Sequence, residues 1–562
     1  MFDGFGLVGA VKAIGRREWG EFPSRRIRHT SSSSTGSIVT GTGDKEPGVP
    51  ESAAASSPPP APGATVQDPP AARRLAWLTV RPAAEQLFGR IPSRAMGHGR
   101  RLAIWSVGVA AFVVYAYESV LRHQQFKTTV DITIFQQAIA NYAQGRAPDV
   151  LIKSQEPFNI LGDHFTPIMM TLAPFYRIWP SVVTLLIAQA AMLAVGVHVV
   201  TRVAVRRLGG LGYYVGIAFA LSWGVLKVLD FDFHEACFTV AFLALALEAL
   251  LDDRMGRLLF WCAALLLVKE DTPLFIAGIG LVLALARRWA PAIGLLVGSA
   301  LAFGLLTMVV IPWFSFTGKY TYFALGADPG ESGPLGLGLT MLDNLISLNG
   351  LTLLGALAVT AAWGLRSPLL LVMVPTLVAR FASQREVYLE MTYYYDGPLM
   401  VICFLALAVA IARRRQRLGI TPERVRTFWS SPRGLAAALL LAVIVDYNVH
   451  TSELPTTLAA SRESCQFCDA ARRIIPKIPA GVTVIADVGV LGNLADRNPV
   501  LMATPDWADA THLPLHADWV LLRMDSGPAG ADTSWLTERR ALLLAQGYRQ
   551  VDEQGTLVLL HR

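Results

Sequence analysis

Residues 210–251 read GLGYYVGIAFALSWGVLKVLDFDFHEACFTVAFLALALEALL, two apolar runs (210–229 and 236–251) joined by DFDFHE at 230–235. About 20 apolar residues in a helix cross a hydrocarbon core some 30 Å thick, and these runs come to that length or close to it. The joint gathers Asp230, Asp232, His234 and Glu235 where a chain in lipid tolerates charge least. The runs decide the fold, and the joint poses the question of chemistry.

The pattern recurs along the chain. Of 562 residues, 53% are hydrophobic and only 16% charged, against about a quarter in a soluble domain, and the mean hydropathy is +0.43. Further spans are predicted at roughly 102–121, 181–200, 256–269, 271–286, 289–313, 345–364, 368–384, 396–412 and 434–447, about eleven in all. FTPIMMTLAPFYRIW (165–179) is apolar but short, and reads as an interfacial or re-entrant helix. The fold class is therefore an all-α polytopic membrane protein. The net charge of +7 comes largely from Arg beside the spans, where it sets topology. It is no sign of nucleic acid.

With the N-terminus inside, Arg202, Arg206, Arg207, Arg254, Arg257, Arg287, Arg288, Arg366 and RRRQR at 413–417 fall in cytoplasmic loops. Asp131, Asp163, Asp230, Asp232, Glu235, Glu270, Asp271, Glu386, Glu390 and Asp396 then face outward. This predicts a multi-pass plasma-membrane protein with a cytoplasmic N-terminus and an extracytoplasmic C-terminus. The expected parts are a disordered Ser/Pro/Ala-rich tail over 1–100, a membrane domain over 101–447 with a large first outer loop at 122–180, a linker over 448–480, and a small α/β domain over 481–562. VTVIADVG, DWVLLR and TLVLLHR read as strands of that domain, and SWLTERRALLLAQGY as a helix ending at Gly547. MGHGRR from Met96 has the look of a natural start. CQFC (465–468) reads as a local disulfide or an idle pair, without the second pair that zinc requires.

Five acidic groups stand at outer helix ends: Glu118 with Asp131, then Asp163–His164, DFDFHE, KED (269–271) and EVYLEMTYYYD (386–396). Such groups at membrane depth face a cavity or one another, although Asp396 before Gly-Pro also suits a turn and tyrosines suit an interfacial belt. A desolvated carboxylate serves as a general base, so Asp131, Asp163, His164, His234 and Glu235 are the candidate catalytic residues. Carboxylates with imidazole also hold Mg²⁺ or Mn²⁺, which makes Asp131, Asp232, His234 and Glu235 a candidate metal set. Lys227 and Lys269 lie at the same level. Lys269, Glu270 and Asp271 are assigned to a donor phosphate or its metal, as required by a transferase that draws on a lipid-linked phosphate donor outside the cell.

VDITIFQQAI, LGDHFTPIMMTLAPFYRIWP, DFDFHEACF and LLLVKEDTPL together resemble a domain-of-unknown-function family of predicted bacterial polytopic membrane proteins, grouped with the GT-C glycosyltransferases. The resemblance covers about residues 102–410. It implies a GT-C-like fold, a polyprenyl-phosphate-linked sugar donor, a glycan, lipid or protein acceptor in the cell envelope, and a functional aspartate at Asp131. The paired Asp-Glu of some GT-C enzymes is absent, since Ile132 follows Asp131. A transporter or flippase for a lipid-linked or ionic substrate is the alternative, and a scaffold displaying the C-terminal domain a third.

Overall fold

The computed structural model describes residue 88 and residues 97–153, 158–322, 334–361, 364–419, 452–460, 465–503, 517–525 and 534–562. The expected tail up to residue 96, Phe88 apart, and the eleventh span at 434–447 lie outside the described residues.

Long apolar helices dominate. They are α1 (His98–Gln124), α4 (Val182–Leu208), α5 (Leu211–Ala220) running on as α6 (Trp223–Asp230), α10 (Trp289–Leu305), and α14 (Gly397–Leu418). Between α1 and α4 lie α2 (Asp131–Ala143), the short strands β1 (Asp149–Val150) and β2 (Phe158–Asn159), and α3 (Ala173–Ile178). α10 passes through a π turn (Leu306–Val310) to Phe314. Shorter apolar helices fill the rest: α7 (Ala236–Leu251), α8 (Met255–Leu265), α9 (Pro273–Leu285), and α13 (Val374–Phe381) after a 3₁₀ turn at Pro368–Met373. α11 (Pro334–Ile346) and α12 (Leu348–Ala361) form a pair bent by 64°.

Among the described residues, five helices are long and apolar enough to cross a membrane, six if the bent pair counts as one span. The sequence reading of about eleven exceeds this count because it includes the shorter apolar helices. At 1.5 Å per residue, the 11 residues of α8 rise about 16 Å, roughly half a hydrocarbon core. The stretch expected to be interfacial, 165–179, is a 3₁₀ turn (Pro167–Leu172) followed by α3.

Local sequence sets the helix ends. The Ser181 hydroxyl accepts from Val183 N at the start of α4, whose last turn carries Arg206 and Arg207 before Gly209 at φ +67°. Those cations suit the negative end of the helix dipole, and Arg206 also bridges Glu248 (2.9 Å) and Asp252 (2.8 Å) at the end of α7. α4 and α5 meet at a small residue: a Cβ on Gly216 would collide with the Thr201 side chain. Gly216→Leu should therefore lower the melting temperature in detergent micelles, as overpacking typically costs about 1–3 kcal/mol. Gly210→Ala, where a Cβ meets nothing within 4 Å, is the control and should melt like the wild type.

The chain closes with α15 (Leu454–Ala460), α16 (Gln466–Ile474), β3 (Val484–Ala486), α17 (Val488–Ala495), β4 (Val500–Met502), β5 (Trp519–Arg523), α18 (Ser534–Ala545), β6 (Arg549–Gln554) and β7 (Leu557–His561). Five strands form one sheet in the order β4-β3-β5-β7-β6, parallel among β4, β3 and β5 and antiparallel beyond. Within 448–480, expected as a linker, α15 and α16 are helical, and a disulfide joins Cys465 to Cys468 at the start of α16.

This domain is docked rather than merely tethered. Gln136 and Gln137 of α2 donate to Ala495 O (2.9 Å) and Val500 O (2.8 Å). Asp496 accepts from Val182 N (2.5 Å) and Ser181 Oγ (2.9 Å) at the head of α4. Asn493 donates to His123 O (3.0 Å) at the end of α1. A Cβ on Gly492 would stand 2.7 Å from Thr128 Oγ1.

Candidate functional site

DFDFHE does not act as one unit. Its first half turns to α1, where Arg122 Nε lies 3.7 Å from Asp232 and 3.9 Å from Glu118, and Arg122 Nη1 lies 3.9 Å from Asp230. Lys227 adds a second cation, 3.1 Å from Asp230. All three carboxylates are buried, and among the described residues neither oxygen of Glu118 has a hydrogen-bond partner. At 3.7–3.9 Å these are ion-pair contacts longer than direct hydrogen bonds. Asp232 sits at φ +56°, a conformation Asp tolerates better than most residues, and Thr129 N pins its carboxylate at 2.6 Å. Burial pushes the Asp232 carboxyl up to about 6, with Arg122 and Thr129 opposing.

The second half turns the other way. His234 N donates to Gln189 Oε1 of α4 (2.9 Å), and the His234 ring stacks on Tyr394 at 3.5 Å between centroids. Its Nδ1 lies 2.6 Å from Glu235 Oε2, though poorly aligned for a hydrogen bond. Glu235 also accepts from Lys269 Nζ at 2.6 Å. Burial would raise the Glu235 carboxyl, but His234 and Lys269 outweigh it and hold it well below the usual range.

Lys269 opens a run of three ionisable residues in the turn between α8 and α9. Thr272 fixes that turn by donating to Leu265 O (2.6 Å) and Lys269 O (2.8 Å). Glu270 is fully engaged: His164 Nδ1 lies at 2.7 Å, Phe165 N at 3.1 Å and Tyr320 OH at 3.0 Å. Asp163, next to His164, pairs with Lys153 and accepts from Tyr322 OH (2.6 Å). Burial would raise Asp163, but Lys153, His164 and Tyr322 bring it down to about 2. Asp163, His164, His234, Glu235, Lys269 and Glu270 thus belong to one chain of contacts.

A cavity of about 30 Å³ opens beside this chain, lined by His164, Lys269, Glu270, Asp271, Tyr320, Arg380, Tyr388 and Tyr395 among others. That is room for roughly two or three waters. Arg380 donates to Asp396 Oδ1 at 2.6 Å and to Tyr395 O. So Asp396 is the counter-ion of a buried arginine as well as a turn residue. Glu386 stays exposed and Glu390 half-buried.

Asp131 begins α2, half-buried. One turn on, Phe135 meets the His234 ring edge-on at 5.1 Å, so Asp131 stands on the His234 side of the site. It is within electrostatic reach of Asp232, His234 and Tyr393 to Tyr395. It is not part of the cavity wall, to which Tyr395 belongs; the Tyr395 ring lies 4.5 Å between centroids from that of Tyr394. Among the described residues no hydrogen bond or ion pair engages its carboxylate.

The metal expectation for Asp131, Asp232, His234 and Glu235 does not fit this geometry. Asp232 is directed at Arg122 and Thr129, and Glu235 at Lys269 and His234. Among the described residues no three His, Cys, Asp or Glu side chains are grouped to hold a metal ion. Mg²⁺ or Mn²⁺ therefore takes no step in the chemistry below.

Sequence reasoning missed Arg122, Arg380, Gln189, Tyr320 and Tyr322. Arg122 and Arg380 carried a usable signal: they stand at the acidic end of the apolar helices, where a buried cation needs a partner to be retained.

A model of the family described as predicted membrane protein (DUF2079) matches residues 122–559. No curated protein matches the sequence. Among solved structures, the chain is similar to the crystal structure of ArnT from Cupriavidus metallidurans bound to undecaprenyl phosphate, with 13% identity and a TM-score of 0.46, covering 83% of this chain and 98% of that one. Nothing about that bound lipid carries over to this chain at such a score. The family match spans most of the sequence and includes every residue of the site from Asp131 to Asp396, and the protein belongs to this family of predicted membrane proteins.

Proposed function

We propose that the protein is a GT-C-like membrane glycosyltransferase of the bacterial plasma membrane. It moves a sugar from a polyprenyl-phosphate-linked donor to a glycan, lipid or protein acceptor on the outer face. The observation that carries this reading is a pair of carboxylates, Asp131 and Asp271, with no hydrogen-bond or ion-pair partner among the described residues, flanking a tyrosine-lined site that also holds Lys269 and Arg380. Asp131 is the general base that takes the acceptor's hydroxyl proton. His234 and Glu235 shape its surroundings, and Asp163 and His164 brace the turn carrying Lys269, Glu270 and Asp271. The Lys269 ammonium has three donors and Glu235 takes one, which leaves the others for the donor phosphate. In this reading the short helices complete an eleven-span topology, with the acidic end and the C-terminal domain outside.

Transfer of label from polyprenyl-phosphate sugars in membranes tests the activity. Label should reach an acceptor only when the protein is present. Reporter fusions after Arg415 should be cytoplasmic and C-terminal fusions extracytoplasmic, and the reverse at either point would overturn the topology. The buried Glu118–Arg122–Asp230–Asp232 cluster is what a proton or cation path uses. Absence of transfer from every lipid-linked sugar, together with an ion-coupled flux that depends on these carboxylates, would put a transporter in place of the enzyme.

A further inference from the structure

The three ionisable residues of the turn after α8 have unequal fates. Lys269 is held by Glu235, and Glu270 by His164, Phe165 and Tyr320. Asp271 lines the cavity half-buried, and among the described residues no hydrogen bond or ion pair engages its carboxylate. It stands in the wall that also contains Lys269 and Arg380, the two cations available to an anion there. Both are already balanced, by Glu235 and Asp396. An ionised Asp271 therefore leaves the wall with surplus negative charge.

We propose that Asp271 makes phosphate binding at this cavity conditional on proton uptake: an oxyanion seats against Lys269 and Arg380 when the Asp271 carboxyl is neutral, and is expelled when it ionises. The proposal rests on the donor-phosphate reading above and names the residue that gates it. The groups facing Asp271 are Lys269 and Glu270 on its own turn, Glu235 on the turn before α7, and His164 from the loop ahead of α3. Tyr320 faces it from the segment after α10, Arg380 from α13, and Tyr388 and Tyr395 from the stretch before α14. Burial pushes its carboxyl up to about 6, with Lys269 and Arg380 opposing and Glu270 and Glu235 reinforcing. The sign follows: below that pH the group is neutral and the anion is admitted, and above it the group is charged and the anion is repelled.

The test measures binding to the full chain in lipid nanodiscs from pH 5 to pH 8. One probe is a polyprenyl-phosphate sugar and the other is dimethyl phosphate. Both are phosphodiesters with one fixed charge, so the probe itself does not titrate. Wild-type affinity should fall as pH rises, towards tenfold per unit for one linked proton, and calorimetry in buffers of different ionisation enthalpy should count proton uptake on binding. Asp271→Asn breaks no bond and should bind more tightly than wild type at pH 8, with a flatter profile. Dimethyl phosphate following the same pattern shows that the headgroup suffices. Binding without proton uptake, or a variant whose pH profile matches the wild type, overturns the proposal alone. Failure of both probes to bind at any pH overturns the donor reading and the proposal with it.

Discussion

Asp131→Asn is expected to slow sugar transfer by roughly 10²–10⁴-fold, the usual cost of losing a general base, while the protein reaches the membrane in normal amount. The substitution keeps the size of the side chain and removes only its charge. Among the described residues no hydrogen bond engages the Asp131 carboxylate, so folding has little to lose. The loss should fall mainly on kcat, since α2 holds the residue apart from the cavity assigned to the donor. Glu386→Gln, at an exposed position, should change transfer less than twofold by the same assay at matched expression. Undiminished transfer by the Asp131→Asn protein would remove Asp131 from the chemistry and leave Asp271 as the free carboxylate of the site.

Arg380→Met should destabilise the protein by about 3–5 kcal/mol, because it strands a buried carboxylate without its cation. Asp396 is 1% exposed, and the Arg380 guanidinium lies 2.6 Å from it. Neighbouring backbone leaves little room for adjustment, since a Cβ on Gly224 would stand 2.7 Å from Asp396 O. Arg380→Met combined with Asp396→Leu removes both charges, and replacing a buried ion pair with apolar residues is often neutral. The double variant should therefore recover most of the lost melting temperature in micelles while remaining weak in phosphate binding. If the single variant melts like the wild type, the pair is not the brace described here.

Much of this was legible from residues 210–251. The apolar runs gave helices at ten of the expected positions, and the three strand segments read from the C-terminal sequence match β3, β5 and β7. What the sequence could not give was direction. Adjacent residues in DFDFHE leave a tight turn on opposite sides, so Asp230 and Asp232 join Arg122 while His234 and Glu235 join Lys269. Nothing in linear spacing separates those destinations. The metal expectation meets the same difficulty: an Asp-His-Glu cluster looks like a ligand set until buried cations from elsewhere in the fold pair with its oxygens. The docking of the C-terminal domain was invisible because glutamines carry no signal of a partner some 360 positions away; Gln136 and Ala495 are 359 residues apart.

That separation sets an order of events in the making of the protein. The glutamines of the helix that presents Asp131, the end of α1 and the head of α4 are held by residues 493–500, which are synthesised more than 300 residues later. Such distant pairings form only after the intervening chain is in place. A nascent or truncated chain can thread its spans into the bilayer with Asp131 still unplaced. Docking of residues 493–500 then acts as the closing step of assembly, and the helix that carries Asp131 is held only once they are in place.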